Sequence, residues 1–505
     1  MESATLTRRG PGSNWLARMR ATPLGRWEAL ALAALCAAAL IGYFAFPTYP
    51  TYDSFYALLW GRDLLHLHLP DFSVYRAPTE HPLAIAFGMI CSIFGQGGAR
   101  LMVLGSIASF VVAVAGMYRL GRLCFGPVVG LVAALLLLSR FFVENLAAQG
   151  YLDISYLALL LWAVALEVER PRRGWPVFLT LVAAGLLRPD AWVLSGVYWL
   201  WCSWRASNAT RARQLALAAI APVIWIAVDA IVTGNPLYSL TSTAGLAAEL
   251  ERSQGLGDVL GSVWSYGVRI DHLPVLVGGL VGIGLSVWMA PRRALVPLAT
   301  FVVLLGVYVA EGAVGASVVD RYLLGSATAL LPFCAVTVGG WAMLQRGSRL
   351  RRAWIAAAVV LVAYGALSAA STISLSSLRT TLAEHEDFHK GLATALASPA
   401  VRRQLHRCPL VSLPDNKLIP DARWILGSGN QRNILARSQA RTDAEHGDPQ
   451  LERRIHAGSI AVYPLGDAVF VDAIVDVGDQ PSDQIPPTGF KRLYTNSFYA
   501  VYGNC

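Results

Sequence analysis

Between Pro47 and Pro82 the chain reads PTYPTYDSFYALLWGRDLLHLHLPDFSVYRAPTEHP, bringing Asp53, Tyr56, Arg62, Asp63, His66, His68, Asp71, Arg76, Glu80 and His81 into one stretch. Carboxylates can serve as general bases or metal ligands, and arginines hold phosphate through paired charge-assisted hydrogen bonds. The same residue types return further on as Arg140, Glu144, Asp153, Arg188 with Asp190, Asn235, Tyr238, and the triplet Asp320-Arg321-Tyr322. Each lies at the edge of an apolar run. Ionisable groups there are costly and usually mark a substrate path or a reactive site.

Charge is sparse elsewhere. Of 505 residues, 55% are hydrophobic and 14% charged, with a mean hydropathy of +0.49. A soluble chain of this length needs far more charge to cover its surface. Apolar runs, many of about 18–22 residues and ended by Arg or Pro/Gly clusters, mark a polytopic α-helical membrane protein. The net charge of +9 does not point to nucleic acid, because the arginines gather in short connections between apolar runs. A carboxylate with several arginines beside a bilayer fits phosphate-linked lipid chemistry.

Eleven spans are predicted, over 27–46, 99–118, 128–139, 151–168, 175–187, 192–204, 215–232, 273–289, 295–309, 322–344 and 354–373. Every second connection is Arg-rich: Arg119 with Arg122, the 169–173 run, Arg205 to Arg213, Arg292-Arg293, and Arg346 to Arg352. This puts the basic N-terminus (1–26, with no cleavage site) in the cytoplasm as a retained anchor. The first loop, 47–98, and the tail, 375–505, then face out from the 27–374 membrane domain. Residues 54–66 read as an interfacial amphipathic helix, and 81–94 as a surface helix too short to span. The runs 128–139, 175–187 and 192–204 are short for a bilayer. The last two are expected to meet at a polar notch, Arg188-Pro189-Asp190.

From about Leu375, turns, charges and alternating stretches at 459–462 and 468–475 predict a small α/β or β-rich domain. Cys408 and Cys505 stand apart in this tail and read as a disulfide on the oxidising side. The other five cysteines sit singly in apolar runs as packing residues.

Each site residue also has a plainer reading. Asp53 could cap a helix starting at Ser54, and Glu80-His81-Pro82 could cap the next one. Asp153 could be a solvated interfacial carboxylate, and Arg188 and Asp190 an ion pair at a helix break. Arg321 could snorkel, although an outward arginine against the inside bias favours phosphate. His66 and His68, two apart, do not share a helix face and read as solvated. No HExxH, Walker, GxSxG or paired CxxC motif supports a zinc protease, NTPase or serine hydrolase.

In the order of its motifs over 27–344 the chain resembles the polytopic GT-C glycosyltransferases, and among them the protein O-mannosyltransferase and aminoarabinose-transferase-like group. The resemblance rests on Asp53 with Tyr56, on the turn Ala77-Pro78-Thr79-Glu80-His81-Pro82-Leu83, and on the basic span end 118–126. It continues through Tyr151-Leu152-Asp153, the 185–190 run, Gly234-Asn235-Pro236-Leu237 and Arg321-Tyr322. Two departures stand out: Asp53-Ser54 replaces the usual acidic pair, and Glu80-His81 stands where members often carry Lys-Pro or a Tyr.

The resemblance implies an inverting transfer of a hexosyl or pentosyl group from a polyprenyl-phosphate donor. The acceptor is a glycan, lipid or protein at the outer face of the cell membrane, within the cell envelope. Asp53 is the general base, and Arg321, with Arg188 or Arg76, holds the leaving phosphate. Tyr56, His81, Asp190, Tyr238 and Tyr322 line the substrate site, while Asp153 and Glu80 shape the sugar pocket or bind a divalent metal, the one cofactor such carboxylates would take. Two other readings compete. A transporter or flippase of a lipid-linked saccharide would carry ionisable residues near mid-span, where Asp229 and Glu311 are the exceptions to check. A non-catalytic membrane scaffold would use the tail to bind a partner.

Overall fold

The computed structural model describes residues 25–250, 252–253, 255–372, 374–427, 433–465, 486 and 488–505. The chain begins α1 (Arg26–Ala45), α2 (Tyr52–Leu65), α3 (Pro82–Ser92), α4 (Gly98–Phe125), α5 (Pro127–Leu138), α6 (Phe141–Ala148) and α7 (Asp153–Glu169). Then come α8 (Trp175–Gly185), α9 (Asp190–Ser203), α10 (Asn208–Thr233), α11 (Tyr238–Glu249), α12 (Leu256–Asp271), α13 (Leu273–Met289), α14 (Pro291–Ala313), α15 (Asp320–Gly339) and α16 (Arg349–Thr372). The tail runs α17 (Leu375–Ala397), α18 (Pro399–Arg407), β1 (Val411–Leu413), α19 (Ile419–Leu426), β2 (Ile434–Ala436), α20 (Arg437–Glu445), α21 (Gln450–Ala457), β3 (Ile460–Pro464), β4 (Lys491–Thr495) and β5 (Tyr499–Gly503).

Two compact units result. The first takes the described residues up to Ala45, with Leu104–Ala227 and Ser253–Leu378. It is all helix. Each of the eleven predicted runs is helical, and among the described residues six helices are long and apolar enough to cross a membrane, or up to eight if each bent pair counts as one span. Helix α8 has 11 residues and α9 has 14, because Pro189 supplies no N–H and the helix restarts at Asp190. Helices α5 and α6 meet at 60°, and α12 and α13 at 107°.

Helix α15 is the core of this unit, buried without a break from Leu323 to Val336. It needs a close neighbour to cover it. A Cβ on Gly282 of α13 would fall 1.8 Å from the Phe333 carbonyl oxygen, so only glycine permits that approach. Helices α1 and α16 leave Leu30, Ile41, Phe44, Val359 and Val360 bare, the surface that lipid would cover.

The second unit joins Phe46–Val103, Val228–Arg252 and Arg379–Cys505. Its sheet has the order β2-β1-β3-β5-β4, with β1 parallel to β2 and β3, and β5 antiparallel to β3 and β4. The apolar side chains Leu392, Leu396, Val411, Leu413, Ile419, Val462 and Val501 form one core with the helices, and Val74 and Tyr75 of the first loop pack on it. The predicted stretch 459–462 falls at β3, while 468–475 lies outside the described residues. Cys408 is bonded to Cys505 across 97 residues.

Helix α2 does not present the exposed polar face that its sequence predicts. Residues Ser54 to Gly61 and Asp63 are buried, with α3 covering one side so closely that a Cβ on Gly61 would meet the Met89 nitrogen at 2.2 Å. Arg62 explains why an apparent polar face is covered. Its guanidinium donates to the Arg423 and Trp424 carbonyls at 2.9 and 3.2 Å, satisfying the C-terminal end of α19.

Candidate functional site

In the first unit, the break between α8 and α9 brings Arg188 between two carboxylates. Its Nη1 donates to Asp153 Oδ1 at 2.6 Å and its Nη2 lies 3.0 Å from Asp190 Oδ2. The guanidinium also faces the Tyr322 and Tyr156 rings at 4.8 and 5.4 Å. Arg321, at the start of α15, approaches the other Asp153 oxygen at 3.8 Å and covers the Tyr151 ring at 5.0 Å. Glu311 adds a third carboxyl, hydrogen-bonded to Asp190. Asp153, Arg188, Asp190, Arg321 and Tyr322, distant in sequence, therefore share one cluster. The Arg188–Asp190 ion pair is present, and Asp153 is buried rather than solvated.

In the second unit, Asp53 lies in the first turn of α2, half-buried. It does not cap that helix. Thr51 is the N-cap, its hydroxyl accepting the Ser54 N–H at 3.4 Å, and the helix starts at Tyr52, two residues before the predicted start. Tyr56 is fully buried in an aromatic ladder, 5.0 Å from Tyr52 and 5.1 Å from Trp60. The Tyr52 hydroxyl donates to the Arg76 carbonyl and accepts from Asn416 of the tail. Arg76 adopts a left-handed φ of 51°, and its side chain pairs with Glu249 at 2.9 Å.

Glu80 does not cap α3 either. The N-cap is His81, which makes no side-chain capping bond. Glu80 instead meets Ser239 at 2.8 Å, and Ser239 meets Asp229 at 2.7 Å. Burial pushes the Glu80 carboxyl from the usual 4.5 up to about 7; hydrogen bonds from its own backbone and from Ser239 oppose the rise, and the neighbouring Asp229 adds to it. Tyr238 donates to the Phe72 carbonyl at 3.0 Å. His66 and His68 are exposed. Among the described residues, no three His, Cys, Asp or Glu side chains gather as a metal site.

Sequence reasoning missed Ser239, since a serine in a polar helix carries no signal. It did mark Asp229 and Glu311, but as possible mid-span charges. Both sit near helix ends, four residues from Thr233 and two from Ala313, which removes the feature that favoured a transporter.

Residues 80–228 match the family model of dolichyl-phosphate-mannose-protein mannosyltransferases. No curated protein matches the chain in sequence. Among solved structures, ArnT from Cupriavidus metallidurans bound to undecaprenyl phosphate is similar, with a TM-score of 0.55 at 14% identity over 94% of this chain and 98% of that one. The oligosaccharyltransferase of Archaeoglobus fulgidus is also similar, with a TM-score of 0.51 at 12% identity over 95% of this chain and 75% of that one. The chain thus shares the fold of ArnT and of the archaeal oligosaccharyltransferase, and its residues 80–228 resemble the dolichyl-phosphate-mannose-protein mannosyltransferases.

Proposed function

We propose that the chain transfers a sugar, with inversion, from a polyprenyl-phosphate donor to an acceptor hydroxyl on the outer face of the cytoplasmic membrane. The observation that carries this reading is the likeness in fold, nearly end to end, to an ArnT structure that holds undecaprenyl phosphate. That Thr51, and not Asp53, caps α2 supports it further.

In the proposed step Asp53 takes the proton of the acceptor hydroxyl as its oxygen bonds to the anomeric carbon. The bond from that carbon to the phosphate oxygen breaks, and the lipid phosphate leaves with the electron pair. Arg321 stabilises the departing phosphate, as a preplaced cation can. Its side chain is 26% exposed, against 8% for Arg188 and 5% for Arg76. Arg188 instead sets the position of Asp153 and Asp190 beside Tyr322, and these contact substrate from the first unit; Tyr56, Glu80, His81 and Tyr238 are the residues of the second unit that serve the substrate. The acceptor is a glycan, lipid or protein hydroxyl.

The test is purified protein in lipid given a radiolabelled polyprenyl-phosphate sugar mixture. The reading expects free polyprenyl phosphate and a labelled acceptor or released sugar. Donor binding with no turnover across a range of acceptors would contradict it and favour a carrier of lipid-linked sugar.

A further inference from the structure

Glu80, Ser239 and Asp229 meet in a dry place, with exposures of 1%, 2% and 2%. The Ser239 hydroxyl oxygen lies within hydrogen-bond distance of both carboxyl groups, 2.8 Å from Glu80 Oε2 and 2.7 Å from Asp229 Oδ1. A hydroxyl has one hydrogen and can donate to only one of them, so the other contact must take its hydrogen from a carboxyl. The Ser239 backbone N–H donates to the second Asp229 oxygen at 2.9 Å. Asp229 is thus the group placed to accept at both oxygens. No ion pair reaches either carboxyl among the described residues, and two bare charges buried together are costly.

We infer that Glu80 carries a proton and donates it to the Ser239 hydroxyl, whose own hydrogen goes to Asp229. Asp229 and Ser239 are then positioning residues, and one proton ties α11 to the loop that ends at Glu80. Three other contacts join the same helix and loop: Tyr238 to the Phe72 carbonyl at 3.0 Å, Thr243 to Thr79 at 2.7 Å, and Glu249 to Arg76 at 2.9 Å. The groups around Glu80 are Asp229 from α10, Ser239 and Tyr238 from α11, and His81 beside it in the chain, with Asp71 acting on Tyr238. A carboxyl held up to about 7 keeps this tie below that pH and loses it as pH rises through it. The geometry stands apart from the transferase reading; only an effect on turnover rests on it.

The experiment follows hydrogen exchange over 238–249 in the full chain in lipid, corrected for intrinsic rates, at about pH 5.5 and about pH 8.5. Wild type should lose roughly tenfold in protection at the higher pH. Glu80→Gln keeps a donor that cannot ionise, so its protection should hold at both values, while Glu80→Ala should be unprotected at both. A Glu80→Gln protein with the wild-type pH dependence overturns the inference. So does one unprotected throughout, or an Asp229→Asn protein that alone abolishes the pH dependence. Should the transferase reading hold, Glu80→Gln should also flatten the high-pH side of the kcat/KM profile. The expected exchange profile with no transfer by any protein would break the transferase reading and leave the proton link standing, whereas a flat wild-type profile would overturn the link whether or not sugar is transferred.

Discussion

In the first unit, Asp153 and Asp190 close on the guanidinium of Arg188, with Arg321 nearby. In the second, Glu80 and Asp229 close on a serine hydroxyl and, among the described residues, no cation. Both arrangements bury carboxyl groups that water would otherwise solvate, at a cost of several kcal/mol per unpaired ion. Arginine neutralises by fixed charge and also aims its partners, because its donors form a rigid fork. A serine can only pass on a hydrogen, so a proton must supply the neutralisation. The first cluster should therefore fail when its cation is removed. The second should fail when its hydroxyl goes or its proton leaves.

Removing the cation gives the largest expected effect. Arg188→Ala leaves Asp153 and Asp190 buried without their partner and should cost about 3–5 kcal/mol, read as thermal unfolding in lipid. A loss below about 1 kcal/mol, as for an exposed pair, would show that the cluster is not held by charge. Arg321→Ala should separate catalysis from folding. Turnover should drop about a hundredfold or more for loss of a preplaced cation, while the melting temperature moves little. Ser239→Ala should be milder than Arg188→Ala, about 1–3 kcal/mol for stranding buried polar partners. If the serine variant proves the more damaging of the two, the comparison is the wrong way round.

Much of this was legible in the residues. Apolar runs predicted where helices form, and Asp153, Arg188 and Arg321 could be grouped because all three fall at the outer ends of predicted spans. The break at Arg188-Pro189-Asp190 was legible too, since a proline between two charges divides the 175–187 and 192–204 runs, whereas the bends between α5 and α6 and between α12 and α13 were not, because hydropathy marks a helix without its direction. The partners of α2 were hidden for a different reason. Arg62 looks like the polar face of a surface helix, yet it binds carbonyls 361 and 362 residues away, and no local pattern encodes such a partner. Likewise Asp53 before Ser54 looks like a cap, but Thr51 performs that task two residues earlier. The Glu80 link was invisible because its middle member is an ordinary serine.

The most direct test of the central claim compares wild type with Asp53→Asn in a single-turnover transfer assay with saturating polyprenyl-phosphate sugar. Asn keeps the size and the helix position but cannot take the acceptor proton. The account predicts donor binding unchanged and the transfer rate down by about 10²–10⁴-fold. An Asp53→Asn protein that transfers sugar at the wild-type rate would contradict it and move the base to another residue.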